Sequence, residues 1–207
     1  MTRPRAVVFD LGKVLVDFDY HIAGRRIAAR GKMSAGEVQK FIDHSPLLIR
    51  FETGQMSREQ FFAEVKSATG FDGTLGEFTE FFADIFSPIQ PMLSLHAALR
   101  QSRVPTYIFS NTNELAAGHI RRHFPFFSQF NGYVLSYEHG AMKPESKLYE
   151  VVERTSRLGG PELLYLDDRP ENVAAGAARG WQAVLHESAE KSRGAVVASG
   201  LLGGPRT

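Results

Sequence analysis

Short apolar runs alternate with helix-period patterns along most of the chain. Residues 5–10 carry Ala6-Val7-Val8-Phe9 without polar interruption, which suits a strand buried on both faces rather than one lying on a wet sheet. Comparable runs occupy 104–109, 132–135, 163–166 and 181–185. Helices are predicted between them. Residues 91–102 present Leu93, Leu95, Ala98 and Leu99 on one face, and 113–124 present Leu115, Ala116, Ile120 and Phe124. Residues 145–158 present Leu148, Tyr149, Val151 and Val152, and 170–179 open on Pro170 and stop at Gly180. Strands alternating with helices from residue 91 onward imply crossover connections, so the expected fold is α/β, a doubly wound parallel sheet.

Residues 18–88 interrupt this alternation with a long helical stretch. Ser57-Arg58-Glu59-Gln60 has the form of a capping box, followed by Phe61, Phe62 and Val65 on one helical face. Ten of the sixteen phenylalanines fall between Phe18 and Phe86. A small helical unit needs such large side chains to bury enough area. The expected organisation is a core of residues 1–17 and 89–207, with 18–88 inserted as an α-helical cap over the sheet edge where the first strand ends. The segment from Ser188 to the terminal Gly203-Gly204-Pro205-Arg206-Thr207 reads as a frayed tail.

Composition narrows the function. A net charge of +1 supplies no basic field for nucleic acid. The absence of cysteine excludes disulfides, thiolate metal sites and thiol nucleophiles. No apolar stretch approaches a membrane span, and the opening Met1-Thr2-Arg3-Pro4-Arg5 has no signal-peptide core, so a cytoplasmic protein, monomer or homodimer, is expected.

Asp10 follows the first apolar run and Asp167-Asp168 follow Leu163-Leu164-Tyr165-Leu166. Each acid sits where a buried strand ends, so two strands can bring three carboxylates to the C-terminal edge of the sheet, the edge where open α/β sheets bind ligands. Such carboxylates repel one another unless a cation lies between them, and hard oxygen donors suit Mg²⁺.

Four segments follow strands in order: Asp10-Leu11-Gly12-Lys13-Val14-Leu15, then Ser110-Asn111-Thr112, then Lys143-Pro144, then Asp167-Asp168 with Asn172 behind. With an insert after the first, they resemble the four motifs of the haloacid dehalogenase (HAD) superfamily, a Rossmann-like core with an inserted cap. The resemblance runs to about the last strand. It implies that Asp10 is a nucleophile forming an aspartyl-phosphate. It also implies that Asp10, the Gly12 carbonyl and Asp168 hold Mg²⁺, with Asp167 acting through a bound water. Ser110 and the next backbone N–H would hold phosphoryl oxygens. Asn111 would touch substrate or hold the loop, and Lys143 would offset the negative charge of nucleophile and phosphate.

One position departs from the pattern. Phosphatases of this superfamily usually carry a second Asp two residues after the nucleophile, as the acid for the leaving group. Here that residue is Gly12. A backbone carbonyl still serves the metal, but general acid catalysis, worth about 10²–10⁴-fold, loses its donor. Leaving groups that need little protonation, such as an anomeric or acyl oxygen, should then be favoured. The Phe-Asp-Leu-Gly opening and the segment Phe51–Ser57 resemble a subgroup that includes sugar-1-phosphate phosphatases with helical caps. The expected activity is Mg²⁺-dependent hydrolysis of a small phosphorylated metabolite such as a sugar phosphate. Two alternatives stand beside it: a catalytically weak protein binding phosphorylated ligands or a partner, which Gly12 supports, and a 2-haloacid dehalogenase, which the paired Asp167-Asp168 opposes.

Other polar residues have plain readings. Asp17 and Asp19 are expected to cap the first helix of the insert, with Lys13 a solvated loop residue. Thr112 or Asn113 should cap the next core helix. Arg25, Arg26 and Arg30 read as a solvated face, and His119 and His123, four apart, as a charged helix end rather than a zinc pair.

Overall fold

The computed structural model describes residues 2–43 and 45–203. The strand β1 (Ala6–Phe9) leads to β2 (Val16–Phe18) and then to α1 (Tyr20–Ala28), α2 (Ala35–Ile42), α3 (Pro46–Glu52), α4 (Arg58–Thr69) and α5 (Leu75–Ala83), before the chain returns in β3 (Phe86–Pro88). Alternation follows: α6 (Gln90–Gln101), β4 (Thr106–Ser110), α7 (Glu114–His123), β5 (Gly132–Leu135), the single turn α8 (Ser136–His139), α9 (Ser146–Ser156), β6 (Leu163–Asp167), α10 (Pro170–Ala178), β7 (Gln182–Leu185) and α11 (Ala189–Ala198).

The main sheet has the order β5-β4-β1-β6-β7, and every pairing in it is parallel. Side chains along β1 alternate between two apolar layers. Val7 and Phe9 pack with Leu95, Leu99 and Ile108 on one side, while Ala6 and Val8 pack with Tyr149, Tyr165 and Trp181 on the other. Both faces are thus covered, and this is why the strands read as unbroken apolar runs. Val7 is level with Thr106 of β4 and with Leu164 of β6, so the C-terminal ends of all three strands meet at one edge. The chain order reverses at β1, which makes this edge the topological switch point.

The five helices between β2 and β3 have their own core, in which Phe51, Phe61, Phe78 and Phe82 are fully buried. Phe61 stacks on Phe51 with ring centroids 4.4 Å apart and meets Phe82 edge-on at 5.2 Å. Capping boxes start three of these helices, at Ser34/Glu37, Ser57/Gln60 and Thr74/Glu77. The short antiparallel pair β2–β3 ties both ends of the segment together, and Leu115 of α7 joins its core.

Three readings need correction. Asp19 caps α1 by accepting a hydrogen bond from the His21 N–H, but Asp17 does not: it pairs with Lys13 and accepts from the Phe18 N–H. Arg26 and Arg30 are not merely solvated. Arg26 bonds Asp84, and Arg30 bridges Asp72 and Glu77, so they tie α1 and the turn after it to later parts of the insert. The chain after Ser188 is not frayed either, because Ser188 caps α11 and both Val196 and Leu201 are buried in the core; residues 204–207 of the expected tail lie outside the described residues. Among the described residues no helix is long and apolar enough to cross a membrane.

Candidate active site

The end of β1 delivers Asp10, whose backbone N–H continues the ladder by donating to the Leu166 carbonyl at 2.9 Å. The end of β6 delivers Asp167 and Asp168. One carboxylate oxygen from each of Asp10, Asp167 and Asp168 falls in a cluster within 4.8 Å. Lys143 reaches the same place from the loop before α9. Its ammonium is buried and donates to Asp10 at 2.8 Å, to Asp167 at 2.6 Å and to the Phe109 carbonyl at 2.9 Å, which uses all three of its hydrogens.

Burial opposes the charge on Lys143, but Asp10 and Asp167 outweigh it and hold its pKa above the ordinary lysine value. Asp167 is also buried, yet Lys143 and several further donors hold its carboxyl below the usual range. Those donors are the Tyr165 hydroxyl at 2.5 Å, the Arg169 N–H at 2.8 Å and the Asn172 amide at 3.0 Å. Asp10 goes the other way. Burial pushes its carboxyl up, Lys143 pulls against it, and Asp167 and Asp168 add to the rise. Burial and Asp167 likewise raise Asp168. Three carboxylates against one ammonium leave two negative charges uncompensated, a donor set that fits a hard divalent cation.

A cavity of about 760 Å³ opens above this cluster between the sheet edge and the helical insert. Asp10, Gly12, Ser110, Asn111, Lys143 and Asp168 all line it, so six of the seven residues singled out from the sequence share one space. Asp167 lies behind that wall, where it orients Lys143 and the Arg169 loop. Ser110 ends β4 and is buried. Asn111 holds the loop: its side-chain carbonyl accepts from the Lys143 N–H at 2.7 Å and its amide donates to the Lys143 carbonyl at 3.0 Å. Asn113, not Thr112, caps α7. His119 and His123 lie outside this cavity, with ring centroids 4.4 Å apart on α7.

The insert contributes Tyr20, Gln39, Asp43, Leu48, Ile49 and Glu52 to the opposite wall. These residues were not singled out from the sequence, since only the fold brings them over the sheet edge. The one local hint was the segment Phe51–Ser57, where a glutamate interrupts an apolar helix end.

The chain is similar to several known proteins. The chain is 25% identical over 191 residues to the D-ribitol-5-phosphate phosphatase of Bacteroides thetaiotaomicron, covering 88% of this chain and 91% of that protein. It is 25% identical over 179 residues to a sesquiterpene phosphatase of Aspergillus oryzae, covering 85% and 86%. A HAD-family enzyme from Bacteroides thetaiotaomicron, solved in complex with magnesium and inorganic phosphate, superimposes with a TM-score of 0.77 at 18% identity, over 88% of this chain and 93% of the other. The model of haloacid dehalogenase-like hydrolases matches residues 4–180, and the chain is a member of that hydrolase family.

Proposed function

We propose that this hydrolase is a Mg²⁺-dependent phosphatase acting on a small phosphorylated metabolite, with a sugar or polyol phosphate as the substrate class. The observation that carries the reading is the convergence of Asp10, Asp168 and Lys143 on one cavity at the sheet's switch point. The phosphatases among its relatives support the same reaction. The polar groups Gln39, Asp43 and Glu52 on the far wall suit a hydroxyl-rich leaving group.

Asp10 is the nucleophile. Its carboxylate oxygen attacks phosphorus and the aspartyl-phosphate so formed is hydrolysed in a second step. Mg²⁺, held by Asp10, the Gly12 carbonyl and Asp168, would neutralise charge on the phosphoryl oxygens. Lys143 opposes the burial that favours the neutral form of Asp10 and steadies it against Asp167. Ser110 and the N–H of Asn111 receive the phosphoryl oxygens, and Asn111 fixes the Lys143 loop. Asp167 orients Lys143 and Asn172 rather than facing substrate. The segment 18–88 acts as the cap that shields the reaction from water.

The test is phosphate release from sugar, polyol, acyl and nucleotide phosphates, with Mg²⁺ and with EDTA. Mg²⁺-dependent release that disappears in Asp10→Asn is the expected result. Binding without turnover across the panel would favour a ligand-binding protein instead.

A further inference from the structure

The position two residues after Asp10 supplies no proton donor for a departing alkoxide. Residue 12 has no side chain, and a Cβ there would stand 2.9 Å from Cε1 of Phe18, so an aromatic ring already fills that space. The Lys13 ammonium is turned to Asp17 and the Phe18 carbonyl. Asp19 accepts from the His21 N–H as the cap of α1.

The opposite wall does hold a carboxyl. Glu52 is the last residue of α3, lines the cavity, and receives no hydrogen bond from any described residue. Its position is fixed on both sides. Phe51 before it is buried and stacked on Phe61, while the Thr53 hydroxyl after it donates to the Ile49 carbonyl at 2.8 Å. Gly54, at φ +66°, then passes so close to α8 that a Cβ would run into the Tyr137 carbonyl. At this point the insert is seated directly on the core.

We propose that Glu52 is the general acid–base of this site, acting from the cap in place of the acid that residue 12 lacks. The inference rests on the phosphatase reading above. In-line displacement puts the attacking and leaving oxygens on opposite sides of phosphorus. Asp10 attacks from the sheet edge, so the leaving oxygen faces the insert. In the first step the bond from Asp10 to phosphorus forms, the bond from phosphorus to the leaving oxygen breaks, and the proton of the Glu52 carboxyl passes to that oxygen. In the second, a water oxygen bonds to phosphorus, the bond to Asp10 breaks, and the water's proton returns to the Glu52 carboxylate.

The groups facing Glu52 are Asp43 at the end of α2, Tyr20 on α1 and Arg169 after β6. Burial and Asp43 push its pKa up to about 7, against the pull of Arg169. Burial keeps the Tyr20 phenol protonated, so it adds no charge. Both forms of Glu52 are therefore populated near neutrality, as a group that gives and then takes a proton requires.

The test compares the wild type with Glu52→Gln and Glu52→Asp, in Mg²⁺, on two esters. One is a primary-alkyl phosphate, a polyol 5-phosphate. The other is 4-nitrophenyl phosphate, whose leaving group departs without a proton. Glu52→Gln is expected to lose about 10²-fold or more in kcat/KM on the alkyl ester, with little change on the aryl ester. The wild-type fall in alkyl-ester kcat/KM above about pH 7 should vanish with it. Glu52→Asp should recover part of the alkyl activity, and melting temperatures verify that each variant is folded. Equal losses on both esters, or none on either, would overturn the role of Glu52 and leave the phosphatase standing. A wild type that releases phosphate from neither ester would overturn both.

Discussion

The ring of Phe18 occupies the space above Gly12, with Cε1 2.9 Å from where a Cβ at residue 12 would stand. Three side chains pack around it. Tyr20 meets it edge-on at 5.5 Å, Phe86 at 6.1 Å, and the Lys13 ammonium lies 4.6 Å from its centroid. The absence of an acid at residue 12 is thus a packing arrangement as well as a single substitution. Restoring Asp there should fail alone: Gly12→Asp is expected to destabilise the protein by about 1–3 kcal/mol, the usual range for overpacking. Adding Phe18→Ala opens the space, so the two changes should couple favourably in a double-mutant cycle followed by urea unfolding. Strict additivity would mean that the ring and the new side chain do not compete.

Lys143 is the sole cation in contact with the Asp10 and Asp167 carboxylates among the described residues. Removing one member of a buried ionic cluster leaves the others uncompensated, at a cost of about 3–5 kcal/mol. Lys143→Met should therefore lower stability by that order when measured in EDTA. Asp10→Asn should not, because it removes a carboxylate that Asp167 and Asp168 already repel. If Asp10→Asn destabilised as much as Lys143→Met, charge balance would not be what holds this cluster together.

The sheet was readable from sequence because its strands are buried on both faces, which leaves continuous apolar runs such as Ala6–Phe9, and because turn residues such as Pro170 and Gly180 mark the helix ends. The carboxylates were readable because a parallel sheet brings every strand end to one edge, so Asp10 and Asp168 needed only their place after a strand. What stayed hidden depends on contacts between distant segments. Periodicity places Glu52 on a helix but cannot say that the helix end sits over the sheet edge. Asp17 looks like a cap, and only the geometry of the turn shows that Lys13 and the Phe18 N–H claim it instead. Asn111 carries the same lesson, since both its side-chain polar atoms answer to the Lys143 backbone, thirty-two residues away in the chain.

Metal binding should be visible without any substrate. A ligand that binds only the folded state adds about 2.7 kcal/mol at a hundred times its Kd. Mg²⁺ is therefore expected to raise the melting temperature of the wild type in a concentration-dependent way, and Asp168→Ala to abolish the rise. An unchanged Mg²⁺ response in that variant would remove Asp168 from the metal site.

A second pH effect arises far from the chemistry, at His96 of α6. Its ring is buried, stacks on Phe130 at 3.9 Å, meets Phe9 edge-on at 6.1 Å, and shares a 3.1 Å hydrogen bond with the Thr106 hydroxyl. Burial, helped by Arg100, lowers its pKa from 6.5 to about 4. Above about pH 6.5 the ring is neutral in both the folded and the unfolded chain, and it contributes no pH dependence. Between about 6.5 and 4 the unfolded chain takes up a proton that the folded one refuses, so stability falls as pH falls. Below about 4 the folded ring protonates too and the slope from this residue disappears. His96→Gln keeps a hydrogen-bonding side chain but cannot titrate. The difference in unfolding free energy between wild type and variant, measured by urea titration at several pH values, should therefore change across this window by at most about 1.4 kcal/mol per pH unit. A difference that stays constant from pH 7 to pH 4 would show that the His96 ring protonates equally well in the folded core.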